Sequence, residues 1–139
     1  MNVYVDTSIV IRILFDEPHP LPMWGEWQQA YSSRLWHTEA LRVLERIRLS
    51  ATRTTAELIR IRQAIDLVND HFNIYPITEP VLSRAGETLP VPLGTLDAIH
   101  LATALFIREK RGLDTLLTHD TQLATAARSM GFKVVGVAE

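Results

Sequence analysis

The fold of this chain is decided by residues 2–8, which read NVYVDTS. The first four residues form an unbroken, largely apolar run, which suits a central strand buried on both faces, and we place this strand at residues 2–6. Thr7 and Ser8 then provide the hydroxyl side chains that begin helices, and they predict a helix to about Phe15. A buried strand that leads directly into a helix is typical of a parallel α/β sheet.

The alternation of strand and helix continues along the chain. Further strands are predicted at about 31–36, 73–76, 114–118 and 133–137, and helices at about 22–30, 38–49, 54–71, 79–87, 96–110 and 120–130. We expect Thr95 to cap helix 96–110, which is apolar almost all round and therefore central. The alternation predicts a single three-layer α/β/α domain, residues 1–139, built on four or five parallel strands.

Composition limits the kind of protein this is. The chain has 139 residues, enough for one hydrophobic core, and it has no cysteine, which excludes disulfides and thiolate metal ligands. No apolar stretch approaches the ~20 residues that span a membrane, and no basic segment leads into a signal-peptide core. We therefore expect a cytoplasmic protein without a membrane segment, in which any metal binds oxygen or imidazole ligands.

The charged residues give opposing indications about nucleic-acid binding. A net charge of −2 argues weakly against a nucleic-acid-binding protein, which is usually basic. Twelve of the fourteen basic residues are nevertheless arginines. Seven of them fall within one third of the chain: Arg34, Arg42, Arg46, Arg48, Arg53, Arg60 and Arg62. These arginines either contact phosphates or form solvated helix faces with acidic partners.

Four acidic residues lie beside predicted chain reversals: Asp6, Glu39, Asp97 and Asp120. Asp6 and Asp120 follow predicted strands, and the ligands of open α/β sheets bind at the carboxyl ends of the strands. Carboxylates gathered at one edge repel each other and resist ionisation unless a hard cation lies among them. The four acids are therefore candidates for a shared metal site.

The order and context of these acids resemble those of the PIN-domain nucleases, and the match is closest to the VapC toxins of bacterial toxin–antitoxin pairs. The resemblance rests on VDTS at residues 5–8, LDAIHLA at residues 96–102 and THD at residues 118–120. It extends to GFKV at residues 131–134, so it covers essentially the whole chain. It implies an α/β/α domain and a Mg²⁺-dependent endoribonuclease that acts as a toxin. It also implies a homodimer and a small antitoxin that inserts a segment toward the acidic site.

Hydrolysis of an RNA phosphodiester needs an activated water, an assisted leaving group and neutralised phosphate charge. One or two Mg²⁺ or Mn²⁺ ions supply all three, and paired ions stand ~3.5–4 Å apart. Because Mg²⁺ prefers a few carboxylates plus waters, we expect Asp6 and Asp97 to bind metal directly. Glu39 and Asp120 are expected to complete a second, weaker site or to hold metal-bound waters.

Each acid also has a purely structural interpretation. Asp6 and Asp120 precede predicted helices and are good N-cap residues. Asp97 lies in a first helical turn, where the helix dipole favours a carboxylate without any metal. Glu39 is three residues before Arg42, with which it can form an ion pair. Any one acid alone is weak evidence, whereas the four in this order are much more specific.

Four polar residues near the acids are candidates for substrate binding or for support of the site. Ser8 and Thr118 either hydrogen-bond the carboxylates or metal-bound waters, or only cap helices. Arg42 and Arg46 either make bidentate contacts with RNA phosphates or only neutralise nearby glutamates.

Two histidines accompany the acids in the sequence. His100, three residues after Asp97, either orients the site or is a hydrogen-bonded core histidine, and the core histidine is the favoured interpretation. His119 precedes Asp120, and we expect it at the surface because the implied mechanism needs no histidine base.

The tryptophans and two neighbouring helices suggest a protein partner. The helices predicted at 38–49 and 54–71 carry more apolar surface than a lone helical hairpin needs. Trp24, Trp27 and Trp36 either stack on RNA bases or, as we favour, pack in the core or against a partner. We expect a second copy of the chain or an antitoxin helix to cover this surface.

Other functions occur on similar folds. A response-regulator receiver needs a lysine near its acidic pocket, and the two lysines here, Lys110 and Lys133, do not follow strands. A haloacid-dehalogenase-type phosphatase needs a second aspartate two residues after the first, where this chain has Ser8. Both are disfavoured. A housekeeping RNA-processing nuclease would carry the same four acids, whereas a non-catalytic PIN scaffold that binds RNA or protein would be expected to lack at least one.

Overall fold

The computed structural model describes residues 1–138 and contains six helices and five strands within them. The strands are β1 (Asn2–Val5), β2 (Gln29–Ser33), β3 (Asn73–Tyr75), β4 (Thr115–Leu117) and β5 (Lys133–Val135). The helices are α1 (Thr7–Leu14), α2 (Leu35–Ser50), α3 (Thr55–His71), α4 (Glu79–Ala85), α5 (Thr95–Arg111) and α6 (Thr121–Ser129). Each strand but the last is followed by at least one helix, as a parallel sheet requires.

The strands form one sheet in the order β3-β2-β1-β4-β5, and every neighbouring pair is parallel. Strand β1 is central, with Val3 paired to Ala30 of β2 on one side and to Thr115 of β4 on the other. The chain leaves β1 toward β2 first and returns later to β4, so the strand order reverses beside β1. Ligand sites in such sheets lie at the carboxyl ends of the strands at this reversal.

Both faces of the sheet are covered. Val3 and Val5 pack on one face with residues of α1, α2 and α3, whereas Tyr4 packs on the other face with residues of α5 and α6. This alternation follows from the two-residue period of a strand. The five parallel strands between two helical layers confirm the predicted architecture. Among residues 1–138, no helix is both long enough and apolar enough to cross a membrane.

The helix predicted at 22–30 is wrong. Residues 22–25 form turns, the chain continues irregularly to residue 28, and β2 follows. Gly25 adopts a φ of 85°, a left-handed conformation that a continuous helix excludes. The edge-to-face contact between Trp24 and Trp27, with ring centroids 5.2 Å apart, packs these aromatic residues without a helix.

Two boundaries also differ from the sequence-based expectation. The strand predicted at 31–36 ends at Ser33 in the structure, because α2 begins at Leu35 and takes Trp36 into its first turn. Trp36 is fully buried and donates its indole N–H to Asn69 Oδ1 at 3.0 Å, which joins α2 to α3. Helix α5 is capped by Gly94, and the predicted cap, Thr95, is instead its first helical residue.

Candidate active site

The four predicted acids line one open cleft of about 390 Å³ at the carboxyl edge of the sheet. Asp6 follows β1, Glu39 lies in α2, Asp97 is in the first turn of α5 and Asp120 immediately precedes α6. The other residues that line the cleft are Thr7, Ser8, Ile11, Arg12, Glu17, Val43 and His119. The structure therefore brings together side chains that lie up to 114 positions apart in the sequence.

Asp6 is buried and held in place by two hydroxyl groups. Its Oδ2 atom accepts hydrogen bonds from Ser8 Oγ at 2.7 Å and from Thr118 Oγ1 at 2.8 Å. Asp6 occupies the N-cap position of α1, but its side chain makes no capping hydrogen bond. The carboxylate is therefore fixed by neighbours at the cleft, and the predicted contacts of Ser8 and Thr118 with a carboxylate are confirmed.

Glu39 is held by His100 and Thr7, and not by Arg42. Its Oε1 atom lies 2.6 Å from His100 Nε2 and accepts a hydrogen bond from Thr7 Oγ1, also at 2.6 Å. Burial favours the neutral acid, but the hydrogen bond and positive charge of His100, together with Thr7, outweigh it and lower the pKa of Glu39. Glu39 is thus an ionised carboxylate at neutral pH.

His100 is the buried residue that favours the ionised form of Glu39. Its Nδ1 atom lies 2.6 Å from the hydroxyl of Tyr4, and its Nε2 atom lies 3.7 Å from Asp6 Oδ1 in addition to the Glu39 contact. Burial opposes protonation, but the hydrogen bond to Glu39 and the charge of Asp6 outweigh it and raise the pKa of His100. His100 is therefore both a hydrogen-bonded core residue and a support of the site, so the two interpretations of its sequence position are compatible.

The surroundings of Asp97 disfavour its charged form. Burial, followed by the charges of Asp6 and Asp120, raises the pKa of Asp97 to about 6. It lies in the first turn of α5, as predicted, yet the favourable helix dipole does not offset these effects. A positive charge in the cleft would relieve the repulsion between these carboxylates.

The donor chemistry of the cleft fits a hard divalent cation. Carboxylate oxygens are the ligands that Mg²⁺ and Mn²⁺ prefer. Within residues 1–138, no three histidine or acidic side chains converge closely enough to enclose a metal ion. The acids thus face a common cleft without forming a complete cage, which suits Mg²⁺ because this ion keeps several waters and uses one or two carboxylates.

Asp120 also serves as a helix cap. Its Oδ1 atom accepts a hydrogen bond from the backbone N–H of Leu123 at 2.8 Å, so the structural interpretation of this residue is correct. Its own N–H donates to Thr118 Oγ1 at 3.0 Å, which links it to the hydroxyl that holds Asp6. Capping engages one carboxylate oxygen of Asp120, just as one oxygen of Asp6 and one of Glu39 are engaged by neighbouring side chains.

His119 was expected at the surface, and in the structure it is partly exposed and lines the cleft. Its Nδ1 atom donates to the backbone oxygen of Gly136 at 2.7 Å, and its Nε2 atom is buried with no hydrogen-bond partner among residues 1–138. Burial is the main reason that the pKa of His119 is lowered. The ring is therefore neutral at pH 7 and ties the THD segment to the end of β5.

The cleft contains one arginine, and it is not among those predicted. Arg42 and Arg46 lie on an exposed part of α2 and do not line the cleft. Arg12 does line it, and the sequence-based reasoning missed this residue. The available signal was its spacing, because Arg12 lies four residues after Ser8 and therefore on the same face of α1.

The tryptophans lie away from the acids. Trp36 packs in the core against Phe72, with ring centroids 5.5 Å apart. Trp24 and Trp27 face Leu67, Val68, His71 and Phe72 across an apolar groove of about 340 Å³. The three tryptophans pack in or against the core, as one part of the favoured interpretation expected, and packing against a partner stays a prediction.

The α/β/α layers and the acidic cleft at the carboxyl edge of β1 define a class of protein, and comparison with known proteins identifies it. Residues 3–129 match the PIN domain family. The chain is 34% identical to Ribonuclease VapC47 of Mycobacterium tuberculosis over 137 residues, which cover 94% of this chain and 93% of that protein. The chain therefore belongs to the PIN domain family, and within it to the VapC group.

Solved structures share the fold of this chain. Superposition on VapBC2 from Rickettsia felis, solved with a fragment of promoter DNA, gives a TM-score of 0.66 at 13% identity and covers 100% of both chains. VapC20 from Mycobacterium tuberculosis, described as a toxin that cleaves the sarcin–ricin loop, gives a TM-score of 0.66 at 17% identity and covers 99% of both chains. At these identities the two structures establish the shared fold.

Proposed function

We propose that this chain is a Mg²⁺- or Mn²⁺-dependent endoribonuclease that acts in the cytoplasm as the toxin of a toxin–antitoxin pair. The observation that carries the proposal is the convergence of Asp6, Glu39, Asp97 and Asp120 on one cleft. The similarity to Ribonuclease VapC47 along nearly the whole of both chains supports the choice of RNA as substrate. The hydrolysed bond is a phosphodiester of the RNA backbone.

Asp6 and Asp97 are the residues that would hold the metal. Ser8 and Thr118 donate to one oxygen of Asp6 and so fix the orientation of its carboxylate before any ion binds. Asp97 lies in the first turn of α5, so its position is set by a different element from β1, which precedes Asp6. When bound, the metal supplies positive charge to the phosphate and lowers the pKa of a coordinated water.

Glu39 and Asp120 are the other two of the four predicted acids that line the cleft. Glu39 is ionised and fixed by His100 and Thr7, so it is suited to accept a hydrogen bond from the attacking water. Asp120 retains one oxygen that is not used in capping, and this oxygen is suited to hold a second water. The chain thus positions water with two acids and metal with two others.

The proposed partners are a cognate antitoxin and a second copy of the chain. VapBC2 from Rickettsia felis was solved as a complex, which supports an antitoxin for this relative. In this chain, the groove beside Trp24 and Trp27 and the exposed side chains of Leu49, Ile59 and Leu67 provide apolar surface on and beside α2 and α3. Such surface favours association.

Controlled expression in a bacterial host tests the toxin assignment. Wild-type expression should arrest growth and remove a particular RNA from the total RNA profile, whereas Asp6→Asn protein at the same level should do neither. Co-expression of the adjacent small gene should restore growth. Normal growth and an unchanged RNA profile, with cleavage shown in vitro, would replace the toxin by a housekeeping nuclease. Loss of RNA with both proteins would contradict the assignment of Asp6.

A further inference from the structure

Arg12 is a positively charged residue that lines the otherwise acidic cleft. It lies on α1 four residues after Ser8, so the two side chains share one helix face and their positions are separated by one turn, about 6 Å along the axis. Ser8 contacts Asp6, one of the acids assigned to metal binding. Arg12 therefore lines the cleft about one helical turn beyond the residue that contacts Asp6.

Most of the hydrogen-bonding capacity of Arg12 remains available. Its Nη1 atom donates to the backbone oxygen of His19 at 3.3 Å, and no salt bridge involves Arg12 in the part of the chain that the structure describes. Glu17 lines the same cleft without forming such a pair. A guanidinium carries five N–H donors in a planar fork, so most of them face a ligand or solvent.

A polyanionic substrate needs a positive charge in this cleft, because its other charged side chains are acidic. Among the described residues, Arg12 is the one arginine or lysine that lines the cleft, whereas five carboxylic acids line it with Arg12. RNA presents a negative phosphate at every nucleotide, and a metal at the acids would neutralise only those at the reacting bond. The guanidinium fork matches two phosphate oxygens at once.

We propose that Arg12 binds the RNA phosphate next to the scissile one and so holds the strand along α1 as it enters the acidic cleft. This inference rests on the proposed function, since it assigns the substrate path to the same site. The contact is remote from the reacting bond and is made equally in the ground and transition states. Its removal therefore raises KM and leaves kcat nearly unchanged.

Steady-state cleavage of a fluorogenic single-stranded oligoribonucleotide in Mg²⁺, measured at several KCl concentrations, tests the proposal. Arg12→Ala and Arg12→Gln should each raise KM about tenfold with little change in kcat. The salt slope of log(1/KM) should also fall in magnitude by about 0.7, the value for one contact with a single strand. Arg12→Lys should restore part of the loss, because it keeps the charge without the fork.

Lys110→Ala is the matched control. It removes one positive charge near the far end of α5, about 20 Å along the helix from Asp97, and should behave as wild type. An unchanged KM in both neutral Arg12 variants, or an equal rise in Lys110→Ala, would overturn the inference. A fall in kcat together with a lower Tm in the neutral Arg12 variants would also overturn the inference, because it would indicate that Arg12 acts structurally through its contact with His19. If wild-type protein does not cleave the RNA, the proposed function fails and the inference fails with it.

Discussion

His100 Nε2 and Glu39 Oε1 lie 2.6 Å apart, and this contact joins α5 to α2 at the base of the acidic cleft. His100 is fully buried, and its partner Glu39 is partly exposed at the cleft. The pKa of His100 is raised and that of Glu39 is lowered, and both shifts favour the charged form of the group. The contact therefore stabilises the ionised carboxylate of Glu39 beside the other acids.

Substitution of His100 by Gln tests this pair through the pH dependence of stability. The raised pKa of His100 gives stability that is present below pH ~6.5 and is lost as the pH rises through the folded-state pKa. The lowered pKa of Glu39 gives stability that is present above pH ~4.5 and is lost as the pH falls.

We expect His100→Gln to lower the free energy of unfolding by about 3 kcal/mol near pH 6, and by less at pH 9. Denaturant unfolding in EDTA at both pH values measures the difference. His71→Gln is the control, since His71 is exposed on α3, and it should have little effect. A loss for His100→Gln that does not depend on pH would show that packing, and not the charge pair, accounts for it.

The raised pKa of Asp97 predicts that this residue destabilises the metal-free protein at neutral pH. A carboxyl whose pKa rises from 3.8 to about 6 on folding stabilises the fold below pH 4 and loses that contribution as the pH rises through 6. In EDTA, Asp97→Asn should therefore raise Tm at pH 8 and leave it nearly unchanged at pH 4. Asp70→Asn, an exposed aspartate of α3, should show no such contrast. An equal Tm for wild type and Asp97→Asn at pH 8 would rule out the repulsion.

Gly136 is predicted to be required for the position of Thr118. It adopts a φ of 120°, and a Cβ atom there would lie 2.3 Å from the backbone oxygen of Thr118. We expect Gly136→Ala to destabilise the fold by about 2 kcal/mol and to reduce RNA cleavage, because Thr118 donates to Asp6. Gly112→Ala is the control, with a φ of 72° and open space around its Cβ position, and it should cost less and leave cleavage intact. Equal stability losses in the two variants would show that the close approach is unimportant.

The hydroxyl of Thr118 is predicted to act through the orientation of Asp6. Thr118→Val preserves the shape of the side chain but removes both the 2.8 Å hydrogen bond to Asp6 Oδ2 and the acceptor of the Asp120 N–H. The loss of one charge-assisted hydrogen bond corresponds to about 1.5–3 kcal/mol, so kcat/KM should fall by about ten- to a hundredfold. Thr125→Val, on an exposed part of α6, is the matched control. Wild-type kcat/KM in Thr118→Val would show that Asp6 is oriented without it.

The sequence predicted the fold well where local pattern and tertiary burial agree. The apolar run ending at Val5 became the central strand, and the two-residue period of the strand assigned Val3 and Tyr4 to opposite faces. The helix predicted at 22–30 was wrong because Trp24 and Trp27 pack against the core from turns and irregular chain. A hydrophobic pattern alone does not separate a helix from an aromatic turn.

The acids and the hydroxyl groups that contact Asp6 were predictable, but the partner of Glu39 was not. Asp6 and Asp120 follow strands, so topology alone places them at one edge. The partner of Glu39 was not predictable, because Arg42 is near in sequence whereas His100 approaches only when α5 packs beside α2. Arg12 was not predicted because it lies outside the arginine-rich third of the chain and reaches the cleft only through the position of α1. Contacts between distant elements decide these pairings, and periodicity does not specify them.

RNA cleavage by purified protein, measured in EDTA and then after addition of excess Mg²⁺ or Mn²⁺, tests the central claim most directly. Wild-type protein should be inactive in EDTA and regain activity with metal, whereas Asp97→Asn should remain at least about a hundredfold less active while still folded. Asp70→Asn should cleave as wild type does. Full cleavage in EDTA, or undiminished cleavage by Asp97→Asn with metal present, would contradict the account.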